Sequence, residues 1–140
     1  MRLRLAAEAR RRALAARGVG WILASKIVLA LPGGSLPKWQ RWLGALAAGL
    51  PGPRSCTADE AAWAVTAAAR RVPGTRCLEW ALALGALLAQ CGIASDLRIG
   101  VRAEGPASIT AHAWIECAGR TLSWGAAEGY SVLKPRASAS

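Results

Sequence analysis

One stretch of this chain can only be buried. From Arg76 to Gln90, residues such as Leu78, Ala81, Leu82, Leu84, Leu87 and Leu88 leave a helix apolar on nearly every side. A helix of that kind belongs in the middle of a fold. Pro73-Gly74 breaks the chain before it, Thr75 stands where an N-cap is wanted, and Gly92 closes it. The remaining elements must be arranged around this one.

Upstream, the pattern is helical. Residues 3–17 place Leu3, Ala6, Ala7 and Leu14 on one face and arginines on the other. Gly18 and Gly20 punctuate that helix, and a second, over 21–31, ends at Pro32-Gly33-Gly34. Ser35 is placed to cap a third helix over 37–48. The Pro/Gly cluster at 49–53 then separates a helical N-terminal extension, 1–50, from the remainder, 51–140, within one compact domain overall. Thr57-Ala58-Asp59-Glu60 is a capping box for a helix running to Arg71. After residue 96 the period changes from 3.6 to 2. Leu97 to Arg102 and Thr110 to Cys117 read as strands, with a loop from Glu104-Gly105-Pro106 between them. Ala118-Gly119 reads as a hairpin turn into Arg120–Ser123. Gly125 to Gly129 reads as loop, Tyr130 to Leu133 as a last short strand, and Ala137 to Ser140 as a tail. Helices first and an antiparallel sheet afterwards give an α+β fold, with the apolar helix against the sheet.

The 140 residues suffice for one real core, and the 54% apolar fraction excludes a disordered chain. The formal charge of +10 has two readings: solvated helix faces, or attraction to an acidic partner. Nucleic acid is not expected, because the arginines cluster on the early helices and no DNA- or RNA-binding motif is present. Four cysteines and one histidine, without C-x-x-C spacing, do not make a four-ligand zinc site, and no metal or cofactor is expected. No transmembrane segment is expected, since 21–31 is short and interrupted by Lys26 and 80–89 is shorter still. The basic, amphipathic start lacks a signal-peptide pattern, so a cytoplasmic protein with reduced thiols is the expectation.

Cys77 falls in the first turn of the apolar helix. There, unpaired N–H groups and the positive end of the helix dipole favour a thiolate, and the same N–H groups can hold an oxyanion. His112, the one histidine, lies on the second strand, sharing a face with Trp114 and Glu116. A thiol at a helix start and an imidazole on a later strand are the two halves of a nucleophile and its base. Trp80, one helical turn from Cys77, and Trp114, two residues from His112, are candidate walls for a substrate. Cys56, Cys91 and Cys117 read as structural.

Over residues 61–122 the wording resembles that of the lasso peptide leader peptidases, the protease half of the lasso B protein, within the transglutaminase-like superfamily. The matching words are Ala-Ala-Ala-Arg-Arg-Val-Pro-Gly-Thr-Arg-Cys-Leu at 67–78, Ala-Leu-Ala-Leu at 81–84 and Leu-Leu-Ala-Gln-Cys-Gly-Ile at 87–93. They continue with Leu-Arg-Ile-Gly-Val at 97–101 and Ala-His-Ala-Trp-Ile-Glu at 111–116. The resemblance implies a transglutaminase-like core of the papain-like cysteine protease type. It implies Cys77 as nucleophile and His112 as base and then acid. The implied substrate is a ribosomally made precursor peptide, cut between leader and core. The implied partners are a separate leader-recognition protein and an ATP-dependent lasso cyclase.

The family places an aspartate about a dozen residues after its histidine, where it orients the ring. In this chain Trp124 stands there, between Ser123 and Gly125, and no aspartate follows His112. Glu116 is ~13 Å away along its strand, too far to reach. Glu128, in a loop that can fold back, and Ser123 are the candidates for a third member. In a serine protease the loss of the orienting aspartate costs on the order of 10⁴ in turnover, whereas a pair already charged on sulfur depends on it less. The departure keeps in view a weakly active or inactive relative serving as a basic peptide-binding scaffold; separately, the same Cys–His pair would also serve a transglutaminase-like acyl transfer to an amine.

Overall fold

The computed structural model describes residues 1–53, 56–125 and 129–132. Four helices come first: α1 (Arg2–Ala30), α2 (Leu36–Gly49), α3 (Ala58–Arg71) and α4 (Cys77–Gln90). The strands β1 (Asp96–Gly105), β2 (Ser108–Cys117), β3 (Arg120–Leu122) and β4 (Ser131–Val132) follow. They form one antiparallel sheet in the order β3-β2-β1-β4. The apolar helix α4 is central, as its composition requires. Ala81, Ala83, Leu84, Leu87 and Leu88 are sealed from solvent, and they share one core with α1, α2, α3 and the sheet's inner face at Ala113, Ile115 and Cys117.

The two early helices expected from the sequence are one continuous helix of 29 residues. Gly18 does not break it. A Cβ at Gly18 would lie 2.9 Å from the Ala64 carbonyl oxygen and 3.1 Å from the Ala68 Cβ, so the glycine is the notch through which α1 meets α3. Because the helix is unbroken, α1 is long and apolar enough to cross a membrane by length and composition, with a mean hydropathy of 1.5 in its best window. This corrects the reading of 21–31 as a short separate segment. A third of that window is buried within the protein, where Leu14, Trp21, Ile22 and Val28 join the core.

Of three expected helix starts, two shift. Ser35 is the residue before α2, but its hydroxyl makes no capping bond, and Pro37 in the first turn sets the helix start. Thr57 and Glu60 do form the reciprocal box at α3. At α4 the N-cap is Arg76 rather than Thr75, whose hydroxyl donates back to the Val72 carbonyl at 2.8 Å.

The hairpin of β1 and β2 extends to Gly105 and resumes at Ser108, so the loop expected from Glu104 is a tight turn at Pro106–Ala107. Its outer half is exposed on both faces, so no apolar alternation marks those residues as strand. The next turn is as expected: Ala118 and Gly119 both have positive φ, 49° and 76°, the geometry that joins two strands with two residues. β3 stops at Leu122 rather than Ser123. β4 holds Ser131 and Val132 of the expected 130–133, pairing with Val101 and Gly100 of β1. Leu133, the tail at 137–140 and Glu128 lie outside the described residues.

Candidate active site

Cys77 is the first residue of α4 and is half-buried. Its placement depends on Glu79, which is only 3% exposed. The Glu79 carboxylate accepts from the Arg76 backbone N–H at 2.7 Å and from Lys26 Nζ at 3.0 Å, and the Arg76 guanidinium lies 3.2 Å away. Lys26 also donates to the Gly74 carbonyl at 2.9 Å, so α1 clamps the loop that leads into Cys77. Burial alone would raise the Glu79 carboxyl. The Arg76 N–H and the Lys26 and Arg76 side chains outweigh it and hold the group below the usual carboxylate range. The carboxylate caps the helix start from outside, and the first-turn N–H groups retain no intrahelical partner.

The helix and β2 run in the same direction. Near the far end of α4, Cys117 Sγ donates to the Ala94 carbonyl at 3.6 Å. Midway, a Cβ on Gly85 would lie 3.6 Å from the Ile115 side chain. From Gly85 back to Cys77 is roughly 12 Å of helix, at ~1.5 Å per residue. From Ile115 back to His112 is roughly 10 Å of strand, at ~3.4 Å per residue. By this count Cys77 and His112 lie toward the same end of the helix–sheet layer.

His112 lies in the edge that β3 leaves open. β3 ends at Leu122, opposite Ile115, and the next residue turns toward the ring: His112 Nε2 and Ser123 Oγ are 2.7 Å apart. The ring stacks on Trp114 at 6.0 Å between centroids and packs against Tyr130 at 5.3 Å. Gly100, directly across β1 from His112, makes this possible. A Cβ there would come within 2.6 Å of the Trp114 ring and 2.8 Å of the Tyr130 Cβ. Burial holds the His112 imidazole below its ordinary range, and among the described residues no carboxylate bonds the ring to offset it.

Of the residues expected at the site, His112 and Ser123 are brought into direct contact. Cys77 and His112 share one end of the layer, but no hydrogen bond joins them among the described residues. His112 belongs to the strand face of Trp114, while the helix-facing side is filled by Ala113 and Ile115. Trp114 is buried beneath Tyr130. Trp80 is 1% exposed, donates its indole N–H to Thr66 Oγ1 at 3.2 Å, and lines a cleft of about 320 Å³ shared with Ser123. Glu116 is engaged by Arg98 at 3.2 Å on its own sheet face. Cys91 touches Cys56. Burial and that neighbour push its thiol up to about 12, which leaves it inert as a nucleophile at neutral pH.

The sequence reading missed Glu79, Lys26 and Tyr130. Glu79 had a signal, a glutamate three residues after the cap position; Lys26 and Tyr130 had none, because only the fold carries them to the site. Chemically, the arrangement offers a thiol on a helix start with free N–H groups beside it and a neutral imidazole fixed at one nitrogen. Comparison with protein families matches residues 2–135 to one described as the transglutaminase-like superfamily, a family associated with lasso-peptide biosynthesis machinery. Neither the curated proteins nor the solved structures contain a match.

Proposed function

The chain belongs to the transglutaminase-like superfamily, and on that premise we propose that it is a cysteine peptidase that removes the leader from a ribosomally made lasso peptide precursor. What supports this reading is that Cys77 is the first residue of α4, that β2 runs alongside that helix, and that His112, toward the corresponding end of β2, is held through Ser123. Catalytic contacts are often long in a free enzyme and tighten only around substrate, so the absence of a thiol–imidazole bond does not count against the pair.

In the proposed mechanism, Nε2–H of His112 donates to Ser123 Oγ, leaving the Nδ1 lone pair to take the Cys77 proton. The sulfur attacks the scissile carbonyl carbon, and the C=O π pair moves onto oxygen, where the first-turn N–H groups of α4 receive it. Collapse breaks the C–N bond, and the imidazolium gives its proton to the departing amine of the core peptide. Water, deprotonated by His112, then attacks the thioester and expels the sulfur, leaving the leader with a carboxylate. A separate leader-recognition protein presents the substrate, and an ATP-dependent cyclase uses the freed amine.

The test is cleavage of a cognate precursor with its recognition protein, followed by mass spectrometry. Cys77→Ala and His112→Ala should each lower the rate by at least ~10³-fold; persistent cleavage by Cys77→Ala ends the reading. One observation favours a second reading, a weakly active or inactive peptide-binding scaffold: among the described residues the ring's partner is a neutral hydroxyl rather than a carboxylate. That alternative predicts no covalent labelling of Cys77 by a thiol-reactive peptide.

A further inference from the structure

Ser123 has two neighbours of interest. One is His112. The other is the cleft of about 320 Å³ between α3 and the end of β3, which Ser123 helps to line. Trp80, one turn along from Cys77, lines it too, and the α3 wall presents Trp63, Thr66 and Arg70. The cleft is thus walled by a residue one helical turn from Cys77 and by the hydrogen-bond partner of His112.

The cleft's charge is unspent. Arg70 is exposed and enters no ion pair among the described residues. The nearby acids are already engaged: Asp59 by Arg120 at 2.7 Å and Glu60 by Arg10 at 2.6 Å. Trp63 is 45% exposed, unusual for so large an apolar side chain, and Arg11 lies over its ring at 5.4 Å. Beyond Trp63 a groove of about 500 Å³ continues between α1 and α3, lined by Arg11, Arg12 and Arg71, with Glu8 as its one acid. A guanidinium beside an open cleft offers a carboxylate two parallel N–H donors, a geometry an ammonium cannot supply.

We propose that this cleft is the substrate's subsite for a carboxylate side chain close to the scissile bond, with Arg70 the specificity-determining residue. An acidic stretch of the peptide then runs on over Trp63 between α1 and α3. The inference rests on the peptidase reading and names the chemistry of its substrate, an acidic peptide segment.

Binding tests it separately from cleavage. The probe is a fluorescein-labelled decapeptide of alternating Glu and Ala, compared by anisotropy with its Gln–Ala counterpart at low and at 0.5 M salt. The Glu peptide should bind about tenfold tighter at low salt, with the advantage lost in high salt. Arg70→Glu should abolish the preference and Arg70→Lys should restore part of it. Arg2→Glu makes the same charge change at the far end of α1 and should keep the preference. Equal binding of the two peptides overturns the proposal, as does an Arg2→Glu loss as large as that of Arg70→Glu, which would mean attraction to net charge alone. Circular dichroism of the variants excludes unfolding as the cause. The Cys77 thiol takes no part in this measurement, so a failure here leaves the peptidase reading standing, and a failure of cleavage leaves the binding of an acidic peptide standing but removes its role as a protease subsite.

Discussion

Ser123 gives His112 a partner but no charge. A carboxylate in its place would both orient the ring and stabilise the imidazolium; a hydroxyl only orients it. The imidazole accordingly sits below its ordinary range, lowered by burial, with no opposing charge among the described residues. This makes His112 a neutral base at neutral pH, suited to drawing a proton from a thiol during attack rather than to holding a standing ion pair. Ser123→Asp should therefore raise the His112 pKa, because the added carboxylate favours the protonated ring. Ser123→Ala should lower kcat about tenfold by freeing the ring, with KM little changed. The chain's one histidine gives a single imidazole signal, so an NMR titration reads the first effect without ambiguity. A Ser123→Asp titration that matches the parent would show that Ser123 does not govern the ring.

Among the elements, α1 and α4 show most clearly what pattern reading can and cannot reach. The apolar surface of α4 is enough to dictate its central place, and the period change after residue 96 is enough to dictate the hairpin. Cys77, His112 and even Ser123 are legible by residue type and position. What escapes is anything decided by a neighbour distant in sequence. Gly18 reads as punctuation until Ala64 and Ala68 are seen against it, and Lys26 reads as an interruption until Glu79 is seen beneath it. The two glycines of α1 make the distinction measurable. Nothing lies within 4 Å of a Cβ at Gly20, so Gly20→Ala should stabilise the protein by about 1 kcal/mol through helix propensity alone. Gly18→Ala gains the same propensity but drives a methyl into the Ala64 carbonyl and should be net destabilising by about 1–2 kcal/mol. Denaturant melts of the two variants should move in opposite directions, and a parallel shift would mean that α1 does not rest on α3 through that notch.

At the scale of the whole molecule, a charge of +10 makes the few carboxylates disproportionately important, and their pairing ties distant parts of the chain together. Asp59 links α3 to β3 through Arg120, Glu60 links it to α1 through Arg10, and Glu79 links α1 to the start of α4 through Lys26. All three titrate below the ordinary carboxylate value. In Asp59 the Arg120 bond and charge are responsible. In Glu60 and Glu79 burial pushes upward but is outweighed, by Thr57 and Arg10 in the first and by Arg76 and Lys26 in the second. Groups with lowered folded values bind protons in the unfolded chain first, so their stabilisation is complete above the unfolded value and is lost as pH falls through the folded one. For the carboxylates that loss begins near pH 4. His112 obeys the same sign with a different window. Its folded value is below the ordinary 6.5, so the unfolded chain takes up the proton first and stability declines as pH falls below 6.5. Thermal melts from pH 8 to pH 3 should therefore show two separate declines. The first, between pH 6.5 and the folded His112 value, should have a slope of no more than about 1.4 kcal/mol per pH unit, the limit for one proton. The second, below about pH 4, should be steeper because several carboxylates protonate together and self-repulsion grows. His112→Gln removes the first decline and leaves the second. If the variant keeps the first decline, the burial of His112 against Trp114 and Tyr130 is not what resists protonation.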